Sequence, residues 1–195
     1  KTLLTYWNTV SFLALYARAS HFTLPTSPSP IANRPMMDRW IISELHQVIG
    51  NVDSALENFD SQSAGKHLAT FIDDLSNWYV RRSRRRFWDG DVMALETLYE
   101  CLEKLTLLMS PLVPFITEHV WQELIRPVHH HVVDSVHLAD FPKVQSELID
   151  AALSSHVAQT RRLVELGRAS RAESQVKIRQ PLSRALISAP GWTAL

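Results

Sequence analysis

A chain of 195 residues, 46% hydrophobic and 21% charged, is long enough to bury a real core and has the make-up of a globular domain. Twenty Lys/Arg against twenty Asp/Glu leave no formal net charge, so attraction to a polyanion has to come from local clustering and not from a global field. The single cysteine, Cys101, excludes an internal disulfide and a CxxC zinc site and fits a reducing compartment, and no apolar run is long enough to span a membrane.

Taken in order, the chain reads as helix after helix. The first helix is predicted over residues 2–19, where Leu4, Trp7, Phe12, Leu15 and Tyr16 make it apolar nearly all round and predict burial between other elements. Its interior Thr, Asn and Ser, with no small-residue cleavage pattern after it, argue against a signal peptide. The chain starts inside this helix without Met and is read as a piece of a longer protein. Residues 22–35 hold four prolines and form a long connection across the bundle. A second helix is predicted with Asp38 as its cap and Ile41, Leu45, Val48, Val52, Ala55 and Phe59 at 3.6-residue spacing.

Asp60 or Ser61 caps a long third helix that ends at Trp88. Leu68, Phe71, Ile72, Leu75 and Tyr79 form its apolar stripe, while Asn77, Arg81, Arg84 and Trp88 line up on the outer side. Straight α-helical phasing carries the apolar stripe on through Arg82 and Arg86, which then need carboxylate partners or a core that stops short of them. Asp89-Gly90-Asp91 ends this helix and caps the fourth, whose seam is Leu95, Leu98, Leu102, Leu105 and Met109. Pro111 and Pro114 break the pattern, and Pro114 opens a fifth helix ending near Ile125.

Residues 126–145 read as irregular, with a short extended piece at SVHLADFP. A helical pattern returns over 146–174, and the alternation from Val176 with Pro181 predicts extended chain after it. The expected fold is all-α: a helical bundle of about five to six helices over 1–174, with a small irregular or extended C-terminal appendage over 175–195.

Five arginines in six positions, Arg81, Arg82, Arg84, Arg85 and Arg86, stand among Trp78, Tyr79, Phe87 and Trp88. Guanidinium pairs bidentately with phosphate and stacks on bases, as do aromatic rings, so this cluster points to an RNA-binding surface. The bland alternative is a solvated last turn whose cations meet the helix dipole. Lys177 and Arg179, with Arg168 and Arg171 upstream, make a second, sparser basic group that is either a solvated face or a lesser contact to the same polyanion. His129, His130 and His131 point in different directions and have no Cys or carboxylate pair at ligand spacing, so no metal site is expected. Asp73 and Asp74 diverge by about 100° on a helix, too far to share one substrate atom, and are expected to face basic groups on a neighbouring helix. Trp40, Trp121 and Trp192 read as packing residues. With no phosphate-cradling glycine loop and no nucleophile–base set, the residues describe a binding module without a catalytic centre. That module either holds RNA or is a helical interaction scaffold whose arginine helix docks an acidic protein.

The phrases MDRWIISELHQVI, LSNWYVRRSRRRFW, LLMSPLVPFITEHVWQEL, SVHLADFP and VKIRQPL, in this order, resemble the anticodon-binding domain of the isoleucyl-tRNA synthetases. These are class I enzymes of the isoleucyl/valyl/leucyl subgroup. The arginine-rich phrase favours isoleucyl over the corresponding valyl or leucyl domain, and YWNTVSFLALYA resembles the helix that enters the domain after the catalytic core. The resemblance implies a helical bundle that binds the anticodon stem-loop of isoleucine tRNA, and the reading of the two basic groups puts Asn77, Tyr79, Arg81, Arg84, Arg85, Trp88, Lys177 and Arg179 at that contact. It implies a cytoplasmic parent enzyme, an aminoacyl-tRNA ligase of protein biosynthesis that uses ATP and Mg²⁺. This piece itself carries no cofactor and no HIGH or KMSKS motif, and its partners are tRNA and the catalytic domain of the same chain.

Overall fold

The computed structural model describes residues 1–128 and 132–187, and among them all regular structure is helical. The chain divides into two compact units, Lys1–Ser154 and Ser155–Leu195. The first unit holds α1 (Thr2–Ala19), α2 (Met36–Glu57), α3 (Ser61–Asp73), α4 (Arg81–Trp88), α5 (Val92–Met109) and α6 (Pro114–Val120). A π-helical segment, Asp74–Val80, joins α3 to α4 without a break, since Asp74 and Arg81 both keep right-handed helical backbone. A second π turn, Trp121–Ile125, and a 3-10 turn, Arg126–Val128, extend α6. The last helix, α7 (Ala151–Glu173), begins in the first unit and continues into the second.

The helix boundaries follow from capping chemistry. Asp60 accepts the Ser63 N–H at 2.9 Å and Asp91 the Ala94 N–H at 3.1 Å, each satisfying a donor that the helix itself leaves free. Gly90 takes φ +71° between α4 and α5, and a Cβ there would stand 3.2 Å from Ser20 Cβ, so both conformation and space call for glycine. Two expectations for α2 are corrected. Asp38 is not its cap, because the helix already starts at Met36 after Pro35 and the Asp38 carboxylate turns into the core. Phe59 leaves the apolar stripe: the chain reverses there with φ +57°, the Asp60 N–H reaching back to the Ala55 carbonyl at 2.8 Å, and its ring is exposed.

The core is built where α2 packs on both α3 and α5, around Trp40, Ile41, Leu45, Phe71, Leu75, Leu98 and Leu102. Tyr6 anchors α1 to α5 through its hydroxyl, 2.7 Å from Thr106 Oγ1. Only one face of α1 is covered, with Leu4 and Leu15 exposed, so it lies on the bundle and not inside it. The proline-rich connection is stapled to α5 by Arg34, which donates to Glu96 at 3.1 Å and Glu100 at 2.8 Å. Glu96 also accepts from the backbone and hydroxyl of Ser29. Arg34 and Glu96 are buried, and the charges are tolerated there because their donors and acceptors are paired.

A smaller core joins Leu107, Trp121, Ile125 and Val136. There Glu118 accepts from the Ser135 hydroxyl and the Val136 N–H, holding Val136–Leu138 as a 3-10 turn and not the extended piece expected of SVHLADFP. After α7 the described residues 174–187 form turns and irregular chain.

Candidate nucleic-acid interface

Seven residues of π-helix decide which arginines reach solvent. An i→i+5 hydrogen bond encloses one more residue per turn than the α-helical i→i+4 bond, so the segment delays the helical phase. The buried stripe therefore runs Leu75, Tyr79, Ser83, Phe87 and not Leu75, Tyr79, Arg82, Arg86. Arg82 swings outward and lies over the Trp78 ring at 4.1 Å, a cation–π contact, so no carboxylate is needed to hold it.

Arg86 remains beside the core and is fully engaged there. One arm donates to Asp38 Oδ2 at 2.8 Å, a second arm takes Asp38 Oδ1, and Nε donates to Asp91 Oδ2 at 2.8 Å. Those hydrogen bonds to Asp38 raise the guanidinium pKa, outweighing partial burial, which lowers it. Asp38, whose side chain is 0% exposed, also accepts the Tyr79 hydroxyl at 2.9 Å. Tyr79 is thus not a surface ring. It is 0% exposed and its hydroxyl is committed to Asp38, while burial and the Asp38 charge push its pKa well up. The expectation that Tyr79 stacks on RNA is withdrawn for that reason.

Besides Arg82, what is left outside is a single row: Asn77, Arg81, Arg84, Arg85 and Trp88, all exposed. Asn77 donates to Asp73 Oδ1 at 2.6 Å within the same rod, so Asp73 is satisfied locally and not by a base on a neighbouring helix. Arg85 stands 3.7 Å from Asp89 with both side chains in solvent, a contact worth at most a fraction of a kcal/mol, on the order of 0.5. Among the described residues Arg81 and Arg84 make no ion pair, so their guanidinium donors face solvent.

The row borders α1. Asn77, Arg81 and Arg84 line a groove of about 400 Å³ whose other wall is Asn8, Thr9 and Phe12. Along the same pair of elements a second cleft, about 560 Å³, opens among Leu15, Tyr16, Ser20, Phe87, Trp88 and Asp89. Phe87 forms its floor and is locked by an edge contact to Phe12 at 5.1 Å and another to Tyr79 at 6.2 Å. Trp88 is 78% exposed, unusual for the largest apolar side chain. Reading α1 as wholly buried hid this second wall; the adjacent polar pair Asn8-Thr9 in the middle of the helix was the available signal.

Lys177 and Arg179 belong to the second unit and are exposed. Arg171 organises the turn that carries them by donating to the carbonyls of Lys177 at 2.9 Å and Gln180 at 2.8 Å. The formal neutrality of the chain is unevenly shared: Ser155–Leu195 has seven Lys/Arg against two Asp/Glu, which leaves thirteen against eighteen in Lys1–Ser154. Of the remaining candidates, Trp40 and Trp121 are core residues, and burial pushes the Cys101 thiol well up. His129, His130, His131 and Trp192 lie outside the described residues. No helix among the described residues is long and apolar enough to cross a membrane, and no group of three or more His, Cys, Asp or Glu among them is placed to hold a metal ion.

Residues 38–186 match the family of anticodon-binding domains of tRNA ligases. The chain belongs to that family. It is 58% identical over its whole length to the isoleucine–tRNA ligases of Streptomyces avermitilis and Thermobifida fusca. It is 42% identical, over 96% of its length, to that of Thermus thermophilus. The chain spans about a fifth of the length of these relatives, 19% of the first two. In this domain the exposed arginine row occupies the α4 end of the rod, and the family match runs through it.

Proposed function

We propose that this chain is the part of an isoleucine–tRNA ligase that holds the anticodon stem-loop of its tRNA. Arg81, Arg84 and Arg85 meet backbone phosphates, Asn77 hydrogen-bonds within the groove against α1, and Trp88 offers a ring on which an unpaired loop base stacks. Lys177 and Arg179 supply further phosphate contacts from the second unit. The parent enzyme works in the cytoplasm and joins isoleucine to tRNA with ATP and Mg²⁺. Both belong to its catalytic domain, the other partner of this piece.

The observation that carries this reading is the division of labour inside the arginine cluster. Arg86 is spent on Asp38 and Asp91, while Arg81 and Arg84 are held by a continuous rod at the edge of an open groove with their donors unspent. Open donors alone would also fit a solvated last turn; set along a groove wall, with an exposed Trp88 on the same helix, they fit phosphate contacts.

The test is an Arg81/Arg84/Arg85→Ala variant of the complete ligase. The KM for tRNA should rise by roughly tenfold or more, and the salt dependence of tRNA binding should flatten by about two charge units. Isoleucine-dependent pyrophosphate exchange needs no tRNA and should stay as it was. An unchanged KM together with an unchanged salt slope would sink the assignment.

A further inference from the structure

We infer that Arg171 is a positioning residue for RNA binding: from the last turn of α7 it fixes the turn that presents Lys177 and Arg179, without meeting a phosphate itself. This rests on the reading of Lys177 and Arg179 as phosphate contacts and concerns only the unit Ser155–Leu195.

The end of α7 is built for a sharp return. Gln175 takes φ +53°, a left-handed backbone that residues other than glycine rarely adopt. Around it the Gln175 N–H reaches the Ala172 carbonyl at 3.1 Å and the Val176 N–H the Arg171 carbonyl at 2.8 Å, the pair of bonds that closes a helix C-terminus. The chain therefore folds back, and Arg171 meets it a second time through its side chain. A cation in a last turn ordinarily serves its own helix, through the dipole or the free carbonyls. Here Nη1 of Arg171 donates beyond the helix, to the carbonyls of Lys177 at 2.9 Å and Gln180 at 2.8 Å. Those residues are the two ends of a four-residue turn, which the Gln180 N–H closes on the Lys177 carbonyl at 3.0 Å.

Side-chain packing does not hold this turn. Lys177, Ile178, Arg179, Gln180 and Pro181 are all exposed, Ile178 to 71%. An isoleucine left in water contributes no burial, so the order of the segment comes from bonds to its main chain, and Arg171 supplies one at each end. Both hydrogens of that Nη1 are committed by these bonds, which leaves the arm none for a phosphate. Lys177 and Arg179 stand on the clasped turn with their side chains in solvent. A turn ordered before RNA arrives removes the cost of fixing it from the binding step.

The experiment is a mutant cycle on the complete ligase. Equilibrium tRNA binding, the KM for tRNA and isoleucine-dependent pyrophosphate exchange are read for Arg171→Ala, for Lys177→Ala with Arg179→Ala, and for all three together. R171A should weaken tRNA binding about 3- to 10-fold, the factor by which the competent form of the turn becomes rarer, and raise the KM for tRNA while kcat and pyrophosphate exchange hold. K177A/R179A should flatten the salt dependence by between about one and two charge units. Adding R171A to that pair should change nothing further, because a positioning residue has no effect once the groups it positions are gone. Amide exchange on the same proteins should speed up across 174–181 in R171A and stay as in the wild type over α1–α6, which separates loss of the turn from loss of the fold. If R171A weakens binding equally in both backgrounds, Arg171 meets RNA itself and the positioning role is refuted. Unchanged exchange across 174–181 refutes it as well. If R171A binds tRNA like the wild type while K177A/R179A binds it more weakly, the role fails and the phosphate contacts stand. If K177A/R179A leaves binding as it was, those contacts fail and the role with them, and R81A/R84A/R85A still decides the reading of the first unit.

Discussion

Replacing Arg86 by alanine should unfold this domain far more readily than replacing any of its exposed neighbours in the same cluster. The change leaves Asp38 with one hydrogen-bond donor, the Tyr79 hydroxyl, inside a site where its own side chain has no exposure. Breaking a fully buried pair costs about 3–5 kcal/mol. The Arg86 side chain is 24% exposed and Asp91 34%, so water reaches one end of the network and the expected loss falls to about 2–3 kcal/mol. For a chain of this size that corresponds to a drop in Tm of about 4–12 °C. Arg81→Ala, Arg84→Ala and Arg85→Ala touch no buried partner and should each stay within about 0.5 kcal/mol. Arg86→Lys should lie between, because one ammonium cannot reproduce the two-armed contact to Asp38 and the Nε bond to Asp91. Urea and thermal unfolding of the 195-residue chain decide the matter. If R86A and R84A melt together, Asp38 is not held by Arg86 in the way described, and the partition of the cluster into structural and binding arginines fails.

Other consequences are as direct. Tyr79→Phe removes only the hydroxyl donated to Asp38, so it should cost about 1–2 kcal/mol in urea unfolding and leave tRNA affinity unchanged; a large loss of affinity would return Tyr79 to the interface. His46 is buried and accepts the Gln145 N–H on Nδ1, and burial lowers its pKa below the ordinary histidine value, Lys104 adding to this and Glu100 opposing it. The neutral form is therefore the folded form: its contribution is complete above about pH 6.5 and is lost as pH falls towards the depressed folded pKa. The urea midpoint should accordingly fall more steeply between pH 7 and 5 for the wild type than for His46→Gln, and equal slopes would remove His46 from the acid response. Deleting Ser76 should turn the π segment into ordinary α-helix while keeping Ser83 and Phe87 on the core side, giving a folded chain by circular dichroism; inserting an alanine there should misphase α4 and unfold it. If both variants fold equally well, the phase argument is wrong.

Much of the fold was legible because it rests on local rules. Asp60, Asp91, Gly90 and Pro114 each mark a helix end through their own backbone chemistry, and the Leu95–Met109 seam needs only a periodicity of 3.6. The places where local reasoning failed share a cause. Asp38 has the composition of a cap, yet a guanidinium 48 positions along the chain offers it more than a free N–H does. Phe59 continues the α2 stripe on a helical wheel, yet the chain turns back there. The arginines were the hardest case, since a one-residue delay in the helix decides which of them are buried.

The residues alone determined that this chain is a set of helices bounded at particular caps, and that its one dense cationic stretch lies at the end of the longest of them, because propensity, capping and periodicity act over a few neighbouring positions. Only the tertiary structure decided that Arg86 and Tyr79 serve Asp38, that Arg82 covers Trp78, and that Arg81, Arg84, Arg85 and Trp88 are left exposed to solvent. The phase of a helix through a π segment is set by what packs on either side of it, and no run of neighbouring residues contains that information.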